Sequence, residues 1–303
     1  MFLLLLAFIA GGTYYLGINK DVVKYVPPEI NHIPSSTPSP KPVSIILAGD
    51  VMLGRSVTIE SLDKQKNPKY PFLKVADVFR QVDIVFVNLE NPVVENCPRV
   101  EHGFTFCSPP QMLEGLSFSG VNVVTIANNH SLNFGPGGFE ETKRHLNTYA
   151  IDAVGYGNLV IRKLGNTSIG FLGFDFLSSK PTTSDFNLIK QSNGKVDILI
   201  VGVHWGVEYE SEPREFQREW ARQMVRAGVD VISGHHPHWV QSDEVIDGVP
   251  VYYSLGNFVF DQMWSEETKK GMLVELLIQN GEIKESNRMN TYISNWAQPE
   301  VVD

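Results

Sequence analysis

Carboxylates, amides and imidazoles stand where short apolar runs stop in this chain. Val43–Ala48 runs into Gly49-Asp50, Ile84–Val87 into Asn88-Leu89-Glu90, and Val121–Ala127 into Asn128-Asn129-His130. Ile198–Val203 runs into His204, Val229–Ile232 into Ser233-Gly234-His235-His236-Pro237-His238, and Val249–Tyr253 into Ser254-Leu255-Gly256-Asn257. Carboxylate oxygen, amide oxygen and imidazole nitrogen together suit a divalent cation such as Mn, Zn, Fe or Mg, as one ion or two. Taken singly, an Asp after a strand is more often a helix cap, and a His more often a satisfied surface or core side chain. It is the recurrence at one run end after another that argues for a shared site. The sequence carries no glycine-rich phosphate loop, no G-x-S-x-G elbow and no Cys-His nucleophile pattern to compete with that chemistry.

The elements that must position these residues follow from the same runs. Stretches of this length, rich in Val and Ile and flanked by Gly or Pro, read as strands buried on both faces. Helical spacing separates them over Leu73–Val82, Phe139–Tyr149 and Pro213–Ala227. In the last of these, Phe216, Trp220 and Met224 recur every fourth residue and Gly228 supplies a stop. Hairpins are predicted at Gly165-Asn166, within Val160–Phe174, and at Asn280-Gly281, within Leu273–Ile283. Strands alternating with helices give an α/β fold, in which ligands bind outside the carboxyl ends of the strands. We expect one domain over 43–285 and a C-terminal tail over 286–303.

Residues 1–19 contain the charge-free run Phe2–Ile18, expected to be an uncleaved membrane anchor or a signal segment. Residues 20–42 turn dense in Pro and Ser and read as a semi-rigid linker. Cys97 and Cys107 are the chain's two cysteines. Their closeness suits a local disulfide in an exported protein. Lys+Arg 25 against Asp+Glu 34 gives a net charge of −9, with no basic cluster, which argues against nucleic acid as a partner. A mean hydropathy of −0.09 excludes a polytopic membrane protein.

The motifs GDVMLGR (49–55), NLENP (88–92), ANNHSLNFG (127–135), HWGVEY (204–209), GHHPHWVQ (234–241) and YSLGNFVFDQ (253–262) resemble, in order, the CapA family of poly-γ-glutamate capsule synthesis proteins. That family is a branch of the calcineurin-like metallophosphoesterase superfamily. The resemblance implies a four-layer α/β/β/α sandwich with a metal site at the shared edge of two sheets. It implies metal ligands at Asp50, Glu90, Asn129, His204, His236 and His238, a proton donor at His130 beside a catalytic Asp50, and a supporting neighbour at His235. Arg55, Asn88, Glu208, Tyr209 and Asn257 are expected to bind substrate, with Arg55 steadying an anion. Three departures stand out. Met52 replaces the histidine of the superfamily's D-x-H motif, which predicts one metal, or two of unequal affinity. Glu90 replaces a bridging aspartate. Ser131 follows His130 where an acidic residue is common.

Three readings stay open at this level. The first is a metal-dependent hydrolase acting on a phosphoester or a γ-glutamyl amide. The second is a non-catalytic, membrane-anchored scaffold of a polymer-synthase complex that binds the anionic γ-glutamyl chain. The third is a metal-free acid/base enzyme using Asp50 with His130 or His204. On the first two, the folded body is expected on the extracytoplasmic side of the cell membrane.

Overall fold

The computed structural model describes residues 41–303; the expected anchor and nearly all of the expected linker lie outside them. In chain order the elements are β1 (Val43–Val51), α1 (Arg55–Thr58), α2 (Ala76–Phe79), β2 (Ile84–Leu89), α3 (Leu113–Ser119), β3 (Val123–Thr125), α4 (Gly135–Thr148), β4 (Asp152–Val154), β5 (Val160–Leu164), β6 (Thr167–Asp175), α5 (Thr183–Asn193), β7 (Ile198–His204), α6 (Glu215–Ala227), β8 (Val231–His235), β9 (Glu244–Ile246), β10 (Val249–Tyr252), β11 (Asn257–Val259), β12 (Lys270–Gln279), β13 (Glu282–Asn295) and β14 (Gln298–Val302).

The strands form an eight-stranded sheet, β14-β13-β12-β1-β2-β3-β4 with β11 added to β1, and a six-stranded sheet, β5-β6-β7-β8-β10-β9. Side chains alternate between faces along a strand. In β1, Ile45 and Leu47 face one cluster of buried side chains while Ile46 and Ala48 face another. In β7, Ile198 and Ile200 share the first cluster with Ile45 and Leu47, so the two sheets pack face to face there. The outer face of the larger sheet is covered by Phe72, Phe79, Leu113, Leu116 and Leu146. The outer face of the smaller is covered by Ile189, Ala221 and Met224 of α5 and α6. This is the four-layer sandwich, and burial on both faces is why the strands read as unbroken apolar runs.

Local signals account for the element ends. Thr182 N donates to Asp185 Oδ2 at 2.7 Å, a capping box that starts α5. Gly228, at φ 102°, closes α6. Two expectations change. The helix expected over Leu73–Val82 contracts to α2, flanked by tighter turns such as Val78 N to Val75 O at 3.1 Å and Gln81 N to Val78 O at 3.2 Å. The tail expected over 286–303 is the larger part of β13 together with β14, in register through Asn290↔Val302 and Tyr292↔Glu300. Most of β13 is exposed or only half covered, so it lacks the apolar run that marks the central strands. Among the described residues, no helix is long and apolar enough to cross a membrane.

Candidate metal centre

Strand register assembles the site. Asp50 near the end of β1 pairs with Asn88 of β2 on one side and Asn257 of β11 on the other. In the second sheet His204 ends β7 beside His235, which ends β8. Glu90 follows β2, and Asn128, Asn129 and His130 follow β3. The approach of β11 to β1 is so close that a Cβ at Gly49 would collide with the Gly256 carbonyl oxygen. The glycine lets Asp50 N donate to Gly256 O at 2.9 Å.

The side chains form one buried network. Asn88 Nδ2 donates to Asp50 Oδ1 at 2.9 Å and to Glu90 Oε2 at 3.1 Å. Asn128, to which the motifs assign no role, donates through Nδ2 to Asn88 Oδ1 at 3.0 Å and so fixes which way that amide points. His235 Nδ1 lies 3.2 Å from Asp50 Oδ1, and the backbone N–H of His236 donates to Asp50 Oδ2 at 3.3 Å. His238 Nδ1 lies 3.0 Å from Asn257 Oδ1 and 3.4 Å from Asp50 Oδ2, with its Nε2 3.7 Å from Glu90 Oε1. His204 Nε2 lies 3.0 Å from Asn129 Oδ1. The backbone is held in unusual conformations here, with φ 100° at His236, 60° at His238 and 63° at Tyr209. Left-handed conformations at non-glycine residues gather where a surrounding structure enforces them, often at functional sites.

Charge is distributed unevenly. Burial would raise the Asp50 carboxyl, but hydrogen bonds from His235 and His238 outweigh it and hold it well below the usual range. Burial, then the Asp50 charge, pushes Glu90 well above it. Burial opposes the charged form of His238, yet Glu90 and Asp50 win and push it up to about 9. Burial lowers His236 to about 3, His130 to about 4 and His204 well below its ordinary value.

These residues fit a divalent cation. Asp50, Glu90 and His204 offer ligand atoms all within 4.8 Å of one another, and Glu208, His236 and His238 form a second such triad. Glu90 Oε1 and His236 Nδ1, one from each triad, are buried without a hydrogen-bond partner. Buried polar atoms are rarely left so, and a ligated ion is one explanation of such a gap. Met52 lies in the core with its sulfur 3.1 Å from Gly54 N.

The structure brings Asp50, Glu90, Asn129, His130, His204, His236 and His238 together. It places others among those expected differently. Asn88 and Asn257 are fully buried and hold Asp50, Glu90 and His238. Arg55 spends its guanidinium on both oxygens of Asp261 and on Gly103 O. Nothing local signals that ion pair, whose partners are 206 residues apart. Glu208 is exposed and joins the second triad, and Tyr209 accepts from Gln262 Nε2 at 3.3 Å. Cys97 and Cys107 are joined by a disulfide. A cleft of about 630 Å³ opens beside Asn128 and Asn129, lined also by Leu132, Tyr156, Phe176 and Gln191.

Comparison with known proteins agrees with this picture. The family described as bacterial capsule synthesis protein PGA_cap matches residues 44–262. The chain is 32% identical over 263 residues to the PGA biosynthesis protein CapA of Bacillus subtilis, covering 79% of this chain and 69% of that one. It is 30% identical over 262 residues to the capsule biosynthesis protein CapA of Bacillus anthracis, covering 77% of this chain and 63% of that one. Among solved structures it is similar to a hypothetical protein from Thermus thermophilus, with TM-score 0.54 at 14% identity over 82% of this chain and 98% of that one. It is also similar to a protein described as a novel phosphatase from Mycoplasma pneumoniae, with TM-score 0.52 at 16% identity over 82% and 93%. The last two establish the fold.

Proposed function

The chain belongs to the PGA_cap family of bacterial capsule synthesis proteins, and from that premise we propose that it serves the synthesis or export of an extracellular poly-γ-glutamate-type polymer through a divalent-metal hydrolase site at the strand ends. The observation that carries the metal site is the pair of buried atoms without a hydrogen bond, Glu90 Oε1 and His236 Nδ1, each on a residue of one triad. Asp50, Glu90 and His204, all three buried, would hold the tighter ion; Glu208, His236 and His238 would hold a weaker one, since Glu208 is exposed. A cation there supplies Lewis acidity at a phosphoryl or carbonyl oxygen and lowers the pKa of the attacking water.

The chain's own residues do the rest. Asn129 sits between the two histidines, 3.0 Å from His204 and 3.3 Å from His130. His130, neutral at pH 7, takes the proton released by the attacking water and passes it to the leaving group. The cleft beside Asn129 has room for the substrate. The body lies on the extracytoplasmic side, tethered through residues 1–19 beside synthase subunits. The disulfide supports an oxidising compartment.

The test pairs elemental analysis with phosphodiester and γ-glutamyl amide assays. His236→Ala is expected to lose the weaker ion and to keep the one on Asp50, Glu90 and His204. His130→Ala is expected to keep it and to lose roughly 10²–10⁴-fold in activity, the range for a positioned proton-transfer group. No metal at micromolar supply in folded protein removes the hydrolase reading. Full polymer production by His130→Ala, with none by His236→Ala, makes the metal structural and the chain a scaffold.

A further inference from the structure

His130 packs against Phe106 and Asn133, to which the motifs assign no role. Its ring stacks on Phe106, centroids 3.8 Å apart and planes 21° from parallel. On that same phenyl ring lies the Arg55 guanidinium, 4.4 Å from the centroid. The Phe106 backbone N–H donates to Asn133 Oδ1 at 2.7 Å. A backbone N–H can only donate, so the Asn133 atom it meets is the amide oxygen, and the usual ambiguity of an amide is resolved. That oxygen is 3.1 Å from His130 Nδ1. An oxygen acceptor there requires a proton on Nδ1, which in the neutral ring leaves the lone pair on Nε2. A second contact gives the same answer from the other side, because Asn129 Nδ2, a donor, is 3.3 Å from Nε2. Nε2 in turn lies 3.9 Å from Glu90 Oε1.

Phe106 is itself held. It precedes Cys107, whose disulfide to Cys97 closes a short loop. Residues 54–56 clamp that loop. A Cβ at Gly54 would collide with Cys107 O, Arg55 Nη1 donates to Gly103 O at 2.7 Å, and Ser56 Oγ donates to Glu101 O at 3.2 Å. Arg55 is tied down by Asp261 beneath.

We propose that Phe106 and Asn133 are positioning residues of the site: Asn133 selects the Nδ1–H tautomer of His130, Phe106 fixes the plane of its ring, and the disulfide loop pinned by Arg55 holds Phe106 in place. Arg55 therefore acts on the site through Phe106. The proposal rests on the reading of His130 as the proton-transfer group, but its first test does not depend on turnover.

In full-length protein labelled with ¹⁵N at histidine, two-bond nitrogen–proton couplings report which ring nitrogen carries the proton. The His130 signal is assigned by its loss in His130→Gln. We expect Nδ1–H in the wild type and in Asn133→Asp, which keeps an acceptor oxygen, and a mixture of tautomers in Asn133→Ala. Nε2–H in the wild type, or an unchanged tautomer in Asn133→Ala, overturns the proposal; if Asn133→Ala does not fold, the wild type and Asn133→Asp decide. In the phosphodiester assay Phe106→Leu is expected to lower kcat roughly 10–100-fold, as small misplacements of a reacting group do. KM and metal content stay unchanged, and Phe106→Tyr restores the rate. Full kcat in Phe106→Leu removes Phe106 from the proposal. Nδ1–H in a protein that hydrolyses nothing overturns the hydrolase reading alone, whereas Nε2–H with measurable turnover overturns the positioning alone.

Discussion

His204 Nε2 and Asn129 Oδ1 meet at 3.0 Å, and this contact joins the two sheets across their carboxyl edge. His204 ends a strand of the smaller sheet; Asn129 follows a strand of the larger. The donor triad Asp50–Glu90–His204 straddles the same junction.

An ion held by that triad would therefore fasten one sheet to the other. Stripping with chelator is expected to lower Tm, and restoring Mn or Zn to recover it. At a hundredfold excess over Kd, bound ligand stabilises by about 2.7 kcal/mol. For a domain of this size that is roughly 5–10 °C. Differential scanning calorimetry before and after chelation measures it, and an unchanged Tm argues against a bridging ion.

His238 gives metal-free protein a pH signature. Its folded value, about 9, lies above its ordinary 6.5. The stabilisation from the charged imidazolium between Glu90 and Asp50 is thus fully present below about pH 6.5 and is lost as pH rises through about 9. Tm of metal-free protein should fall across that window, and His238→Gln should flatten the slope. At pH 7.5, loading the site should release a proton, seen by calorimetry in buffers of different ionisation enthalpy.

Counting free thiols under denaturing conditions should find close to none, because Cys97 and Cys107 are bonded. With a sequence separation of 10, the double Cys97→Ser, Cys107→Ser variant should lose about 2–3 kcal/mol in denaturant titration. Two free thiols in protein from its native compartment would remove the support for an oxidising location.

Arg55 and Asp261 should behave as a unit. Their side chains are 12% and 4% exposed, so removing either partner leaves a charge without water. Arg55→Ala and Asp261→Ala should each cost about 3–5 kcal/mol, and the double variant much less than the sum. Additive losses would show that the pair is not coupled.

Much of this is legible in the sequence, for physical reasons. Strands buried on two faces leave unbroken runs such as Ile198–Val203, and their ends carry carboxylates and imidazoles, so the fold and the gathering of those side chains at one edge can be read, whereas the place of Glu208 beside His236 and His238 cannot. Gly165-Asn166 and Asn280-Gly281 mark their hairpins because turn chemistry is local. What escapes is long-range. Asn133 and Phe106 look like ordinary loop residues until the chain folds, although Asn133 stands three residues after His130 in the same motif. Arg55 reads as a free cation because its partner is distant. Asn88 and Asn257 read as substrate contacts because a motif records that a residue matters, not which way it faces.

The central place of β1 sets the order in which the polypeptide can mature. Residues 43–51 lie between β2 and β12, and β12 spans 270–279. β1 thus cannot complete its pairing until residues through about 279 have left the ribosome. Contacts that close such long loops form slowly. Until then the apolar faces of β1 and β2 stand open to aggregation. A chain built this way folds slowly for its size and exposes apolar strands while it waits.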